Sequence, residues 1–179
     1  MESVKYYKDA LKINSKYFQA LNNLGIIHKE LGKFEDSENC YRKAIGLNPN
    51  YAEAYNNLGV TLKELGKLEE SKKNYQKAIE LNPNYTEAYN NLGITLRELG
   101  NLDESEKIYK KIIEIKPEYF EAYSNLGITL REQGKLEESK LNFETVLKLK
   151  PDNAEGYYNL GVVLRDLGKL EESEKNYKK

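Results

Sequence analysis

The sequence is poor in the residues from which active sites and disulfide frameworks are built. It contains one histidine, His28, one cysteine, Cys40, and no tryptophan. A single cysteine excludes an internal disulfide, and no set of His, Cys and acidic residues has the spacing of a metal site. A glycine-rich phosphate-binding loop is also missing. We therefore expect no enzyme activity within these residues, no metal and no cofactor.

An excess of one charge and long apolar runs are missing as well. The 28 Lys and Arg residues nearly balance the 29 Asp and Glu residues, so there is no general attraction to nucleic acid or to anionic lipid. No apolar run approaches the roughly 18 residues of a membrane helix. The charged, amphipathic first residues are unlike a secretory signal. We predict no nucleic-acid partner, no membrane association, and an intracellular location, cytoplasmic or nuclear.

What the sequence has instead is a strict repeat of 34 residues. Residues 52–85 read AEAYNNLGVTLKELGKLEESKKNYQKAIELNPNY, and full copies also occupy 18–51, 86–119 and 120–153. A truncated copy fills 154–179, and 1–17 match the second half of a copy. A fixed period of this length is the signature of a repeat array. We interpret residues 1–179 as a single array in which the repeat is the structural unit.

Each copy predicts two helices separated by a tight turn. In the 52–85 copy, apolar or small residues follow one another at spacings typical of one helix face: Tyr55, Leu58, Gly59 and Leu62. Gly66 lies where a helix C-terminus favours a residue with positive φ. A second helix is predicted over about Glu69–Leu81, and Pro83 ends it because proline cannot occupy a helix interior. Each copy is therefore predicted to be a helical hairpin.

The pattern resembles the tetratricopeptide repeat, whose signature combines an aromatic residue, Leu-Gly, an apolar residue, a small residue, a second aromatic residue, Ala and Pro. In the 52–85 copy these are Tyr55, Leu58, Gly59, Leu62, Ser71, Tyr75, Ala78 and Pro83. Serine replaces the family's small alanine in every copy. The resemblance implies an all-α fold, a right-handed superhelical α-solenoid of stacked antiparallel helix hairpins. Both ends of the array lack a polar capping helix, so we expect a piece of a longer array or self-association through exposed terminal helices.

The first helix of each copy has a second recurring face. It lies opposite the face formed by Tyr55, Leu58, Gly59 and Leu62, which we call the packing stripe. The resemblance implies that this second face lines a concave groove, where recurring positions would form columns. One of these positions is asparagine in every copy, which forms an asparagine column. Beside it lie a column of apolar residues and a column of basic residues. The predicted groove residues are Asn23, Asn57, Asn91, Asn125 and Asn159, with Asn56 and Asn90, then Val60, Ile94 and Ile128, then Lys63, Arg97 and Arg131.

An asparagine ladder suits recognition of a peptide backbone, because each amide offers two donors and an acceptor. The column is similar to the ladder of the O-GlcNAc transferase and SPINDLY-like families. We predict a protein-interaction scaffold whose groove binds an extended or helical segment of a protein or peptide partner. Three alternatives remain open here. The first is that the asparagines only support the helices. The second is that the chain is the substrate-recruiting arm of a larger enzyme such as a protein glycosyltransferase, and the third is that it is a designed, consensus-like array.

Overall fold

The computed structural model describes residues 2–14 and 16–179, and the described part of the chain is all α-helical, with no strand. The helices are α1 (Glu2–Ile13), α2 (Phe18–Glu30), α3 (Phe34–Leu47), α4 (Ala52–Glu64), α5 (Leu68–Leu81), α6 (Thr86–Glu98), α7 (Leu102–Ile115), α8 (Phe120–Glu132), α9 (Leu136–Leu149), α10 (Ala154–Asp166) and α11 (Leu170–Tyr177). They form two compact units, one ending at Thr95 and one spanning Leu96–Lys179.

The predicted hairpins are confirmed. The first helix of each full copy has 13 residues and the second has 14. In the first unit α1 packs on α2, α2 on α3, α3 on α4 and α4 on α5. In the second unit α7 packs on α8, α8 on α9, α9 on α10 and α10 on α11. Each unit thus has the α-solenoid construction of stacked antiparallel hairpins.

The turn inside each hairpin is set by a glycine. Gly66 has a φ of 72°, in the left-handed region that the sequence predicted. The Gly66 N–H donates to the carbonyl of Lys63 and the Lys67 N–H to that of Leu62, which is the Schellman arrangement. The four equivalent glycines, Gly32, Gly100, Gly134 and Gly168, have φ values between 70° and 77°. Each turn therefore satisfies the last carbonyls of the preceding helix.

A second glycine lets the two helices of a hairpin approach closely. A Cβ placed on Gly59 would lie 2.6 Å from Cε1 of Tyr75, whose ring is 1% exposed. Ser71 then donates its hydroxyl to the Gly59 carbonyl at 2.7 Å. The same bond joins Ser37, Ser139 and Ser173 to Gly25, Gly127 and Gly161. Serine in place of alanine is therefore explained by a buried hydrogen bond that ties the second helix to the first.

The core of each unit joins consecutive copies. In the first unit Tyr41 of one copy packs with Leu58 and Leu62 of the next. In the second unit Phe143 packs in the same way with Leu160 and Leu164. In a repeat array, packing of this kind between neighbouring copies supplies much of the stability.

Ion pairs on the second helices also join neighbouring copies. Glu106 of α7 is 9% exposed and accepts from Lys110 Nζ at 2.6 Å and from Lys135 Nζ at 2.7 Å. The hydrogen bonds from Lys110 and Lys135 lower the pKa of Glu106 to about 2. Glu38 has matching partners in Arg42 and Lys67. Burial alone would raise the pKa of Glu38, but the bonds from Lys67 and Arg42 outweigh it and keep that pKa below its usual value.

Candidate functional site

The predicted asparagine ladder is half-buried in the first unit, and its amides bond in one consistent sense. Asn57 Nδ2 donates to Asn22 Oδ1 at 3.1 Å, and Asn91 Nδ2 donates to Asn56 Oδ1 at 3.0 Å. Asn23 Nδ2 donates to the hydroxyl of Tyr7 at 3.3 Å. In all three cases the partner lies on an earlier helix of the chain.

The partners Asn22 and Asn56 are completely buried bridges between first helices. Asn22 donates to Glu53 Oε1 at 3.1 Å, and Asn56 donates to Glu87 Oε1 at 3.1 Å. The burial corrects one expectation, since Asn56 was predicted to line the groove but is 0% exposed. The Asn56 amide forms hydrogen bonds that connect α4 to α6, donating to Glu87 and accepting from Asn91. The physical reason is that α6, the first helix of the next copy, lies against this position, which a helical wheel of one copy does not show.

The amides of Asn57 and Asn91 keep hydrogen-bonding capacity for a ligand. Each uses one of its two N–H donors toward the preceding helix. Within the described residues neither Oδ1 atom accepts a hydrogen bond. Each ladder amide can therefore offer one donor and one acceptor together, the pair that a peptide backbone requires. We call the surface formed by Asn23, Asn57 and Asn91 the ladder face.

Among the described residues of the second unit, the corresponding asparagine-to-asparagine hydrogen bond is missing between α8 and α10. Asn159 is half-buried, and its Nδ2 atom is buried without a hydrogen-bond partner in the described part of the chain. The position that corresponds to Asn22 and Asn56 is Ser124, whose short side chain ends in a hydroxyl and carries no amide carbonyl oxygen. Asn125 is half-buried too and does have a partner. Asn90, in the same column as Asn56, is half-buried and also has one.

The apolar column is shared between surface and core. Val60, Ile94 and Ile128 are half-buried. Ile128 packs against the buried cluster of Phe143, Leu160 and Leu164, so much of its side chain serves cohesion between copies. Only the remainder of this column can contact a ligand.

The basic column is engaged in ion pairs in the second unit. Arg97 Nη1 lies 3.4 Å from Glu132 Oε1, and Arg131 Nε lies 2.6 Å from Asp166 Oδ2. Lys63, in the first unit, is half-buried and has a polar partner. These pairs neutralise the arginines, which disfavours a site for an acidic or phosphorylated ligand.

The single histidine and cysteine lie away from the ladder face. His28 is 9% exposed on the packing stripe, and its Nδ1 lies 3.9 Å from Asp36 Oδ2. Cys40 is buried and forms no disulfide. Within residues 2–14 and 16–179, no group of three or more His, Cys, Asp or Glu side chains could hold a metal ion. None of the helices in those residues is long and apolar enough to cross a bilayer.

Comparison with protein families identifies the repeat. The family described as "Tetratricopeptide repeat" matches residues 50–118 and 84–152 in one profile and 6–39 and 142–175 in another. A third profile, described as "TPR repeat", matches residues 27–66. The search of curated protein sequences finds no match to this chain.

Solved structures share the fold. YrrB, described as a TPR protein with an unusual peptide-binding site, is 22% identical, with a TM-score of 0.78 over 95% of this chain and 88% of YrrB. A tetratricopeptide repeat protein from Parabacteroides merdae is 22% identical, with a TM-score of 0.84 over 97% of this chain and 69% of that protein. MamA from Desulfovibrio magneticus is 16% identical, with a TM-score of 0.81 over 99% and 93%.

The first of these profiles alone covers more than half of the chain, and its matches span consecutive copies of the repeat. The turns, the glycine contacts and the serine hydrogen bonds recur at the same period in the structure. The chain belongs to the tetratricopeptide repeat family.

Proposed function

We propose that this chain is a protein-interaction scaffold that binds an extended segment of a partner protein along its ladder face. The tetratricopeptide fold supports the general role, and YrrB is a protein of this fold described as having a peptide-binding site. The near balance of charges favours recognition of backbone groups over recognition by net charge. We place the contacts on Asn23, Asn57 and Asn91, with the half-buried Val60 and Ile94 beside them.

The observation that carries this proposal is the state of the ladder amides. Asn57 and Asn91 are anchored through one N–H each, and each retains an acceptor and a donor. An anchored side chain loses little rotamer entropy when a ligand binds, and this preorganisation favours affinity. A purely helix-supporting asparagine would not need its carbonyl oxygen left available.

The test uses short peptides selected from a random display library against the intact chain. The ladder variant combines Asn23→Ala, Asn57→Ala and Asn91→Ala. A matched control removes three asparagines from the second helices, where each amide bonds to its own helix backbone: Asn74→Ala, Asn142→Ala and Asn176→Ala. Losing two or three net hydrogen bonds of about 1 kcal/mol each should weaken binding by about tenfold or more.

The expected result is weaker binding by the ladder variant alone, measured by isothermal titration calorimetry. Circular dichroism would show that both triple variants stay folded. Equal affinity of the ladder variant and the native chain would refute the ladder as the binding surface, while leaving the fold assignment intact.

We also propose that the chain self-associates through its terminal helices. The helix at the C-terminal end carries exposed apolar surface at Leu170 and Tyr177, which are 66% and 43% exposed, and Tyr158 beside it is 61% exposed. At the other end Tyr6 and Ile13 are 70% and 90% exposed. Light scattering should show a mass that rises with concentration, and Leu170→Glu should suppress the rise. A constant monomeric mass would contradict this.

A further inference from the structure

The hydrogen bonds of the ladder face carry information about the direction of a bound chain. We infer that a peptide held by Asn57 and Asn91 runs antiparallel to the order of the repeats, with its N-terminus toward α6 and its C-terminus toward α2. This inference rests on the proposed function. It assigns Asn22, Asn56 and the carboxylates that hold them as positioning residues.

The first step is that the carboxylates fix the buried amides. An ionised Glu87 carboxylate has oxygen acceptors and no donor, so the group that Asn56 turns toward it must be the NH₂. The Asn56 carbonyl oxygen then faces Asn91. Glu53 orients Asn22 in the same way, and Asn22 presents its oxygen to Asn57. A flipped amide would turn the carbonyl oxygen of a fully buried asparagine against a carboxylate and leave its NH₂ facing another donor, which is costly.

The second step is that the buried amides fix the ladder amides. Because Asn22 and Asn56 present oxygen, Asn57 and Asn91 must turn their NH₂ groups toward the preceding helix. Asn23 turns its NH₂ toward α1 in the same sense. The amide group is planar, so the oxygen of each ladder asparagine lies on the side of the following helix. The ladder face therefore has one polarity along the first unit.

The third step concerns the ligand. In an extended residue the N–H and the C=O point to the same edge, with the N–H first in the direction of the chain. A ladder amide pairs with this edge when its oxygen accepts from the peptide N–H and its N–H donates to the peptide C=O. The peptide N–H then lies toward the following helix and the C=O toward the preceding one. The bound chain consequently runs from α6 toward α2.

The test uses a selected peptide carrying a nitroxide label at its N-terminus or at its C-terminus. Paramagnetic broadening is read on the backbone amides of Ile94 in α6 and Ile26 in α2. We expect the N-terminal label to broaden Ile94 and the C-terminal label to broaden Ile26. The reverse pattern, or equal broadening of both residues by either label, would overturn the inference while leaving peptide binding established. Failure of the ladder variant to weaken binding would remove both proposals.

The positioning role is tested with Glu87→Ala, an exposed substitution that frees the Asn56 amide without creating a core cavity. We expect the side-chain NH₂ signals of Asn91 to shift in the ¹⁵N spectrum and those of Asn57 to stay in place. Glu53→Ala should do the opposite. Glu69→Ala, on the exposed surface of α5, is the control and should move neither.

In the labelled-peptide experiment, Glu53→Ala combined with Glu87→Ala should give mixed directions while the chain stays folded. Unchanged NH₂ signals or an unchanged direction would contradict the positioning role.

Discussion

At the scale of single residues, the fold depends on contacts that tolerate no added atom. Gly59 lies mid-helix, where glycine costs about 1 kcal/mol relative to alanine. The structure accounts for that cost, because the ring of Tyr75 fills the space a Cβ would take. The equivalent pairs Gly25–Tyr41, Gly127–Phe143 and Gly161–Tyr177 show the same contact. The glycine that permits the close approach of the two helices also provides the carbonyl that accepts the serine hydrogen bond.

We expect Gly59→Ala to lower the free energy of unfolding by about 1–3 kcal/mol, since a buried ring must move to admit the methyl group. Gly46→Ala is the matched control. Gly46 is also helical, and nothing lies within 4 Å of the position of its Cβ. It should stabilise the chain by up to about 1 kcal/mol through helix propensity. Urea denaturation followed by circular dichroism measures both, and destabilisation by Gly46→Ala of similar size would contradict the steric explanation.

At the scale of elements, the joints between first helices differ between the two units. The α2–α4 and α4–α6 joints each contain a buried asparagine that satisfies a ladder amide and a glutamate. At the α8–α10 joint Ser124 takes its place, and the buried NH₂ of Asn159 has no hydrogen-bond partner among the described residues. A buried donor without an acceptor is unfavourable by about 1–3 kcal/mol. A substitution that supplies an acceptor for the Asn159 NH₂ should therefore stabilise the second unit.

We expect Ser124→Asn to raise the free energy of unfolding by about 1 kcal/mol, because the new carbonyl oxygen accepts from Asn159. Ser124→Leu is the control, since it adds similar volume without an acceptor. In the background of Asn159→Ala the gain from Ser124→Asn should disappear. Chemical denaturation measures the native chain and the four variants. An equal gain with leucine would assign the effect to packing and contradict the hydrogen-bond explanation.

The ion pairs of Glu106 connect α7 to the turn before α9, and they predict a pH dependence. The folded-state pKa of about 2 is below the ordinary value of 4.5, so this stabilisation is present above about pH 4.5 and is lost as the pH falls toward 2. The full contribution is at most about 3 kcal/mol.

The stability difference between the native chain and Glu106→Gln should shrink over that range in urea titrations. Glu174→Gln is the control, because Glu174 and its partner Lys178 are 69% and 71% exposed, and such pairs contribute little. A difference for Glu106→Gln that is constant with pH would contradict the assignment.

At the scale of the whole molecule, the repeat made the fold readable. Five copies gave five readings of each position, so the helix bounds, the glycine turns and the packing stripe could be predicted from Leu58, Gly59 and Gly66 and their equivalents. The site was less readable. Asn56 and Asn57 are consecutive residues about 100° apart on a helical wheel, both on the predicted groove side, and only the packing of α6 decides that the first is buried. A usable signal was present, since that column changes from asparagine to Ser124 and Tyr158.

The stability of the whole chain should also fall in alkali, because its largest buried side chains include tyrosines. Tyr41 and Tyr109 are 0% exposed, and burial raises the pKa of each phenol well above 10. The unfolded chain ionises these phenols near pH 10 while the folded chain keeps them neutral. Their contribution is therefore complete below about pH 10 and is lost above it, at about 1.4 kcal/mol per pH unit for each phenol.

Removing both hydroxyls should abolish this part of the alkaline loss. Phe143 fills the equivalent position in another copy, and neither the Tyr41 nor the Tyr109 hydroxyl has a hydrogen-bond partner among the described residues. Tyr41→Phe with Tyr109→Phe should therefore be neutral or slightly stabilising near neutral pH. Above about pH 10 its advantage over the native chain should grow with each further increase in pH. Tyr158→Phe, at a ring that is 61% exposed, should follow the native chain. Parallel alkaline curves for all three chains would show that these buried phenols do not govern the transition.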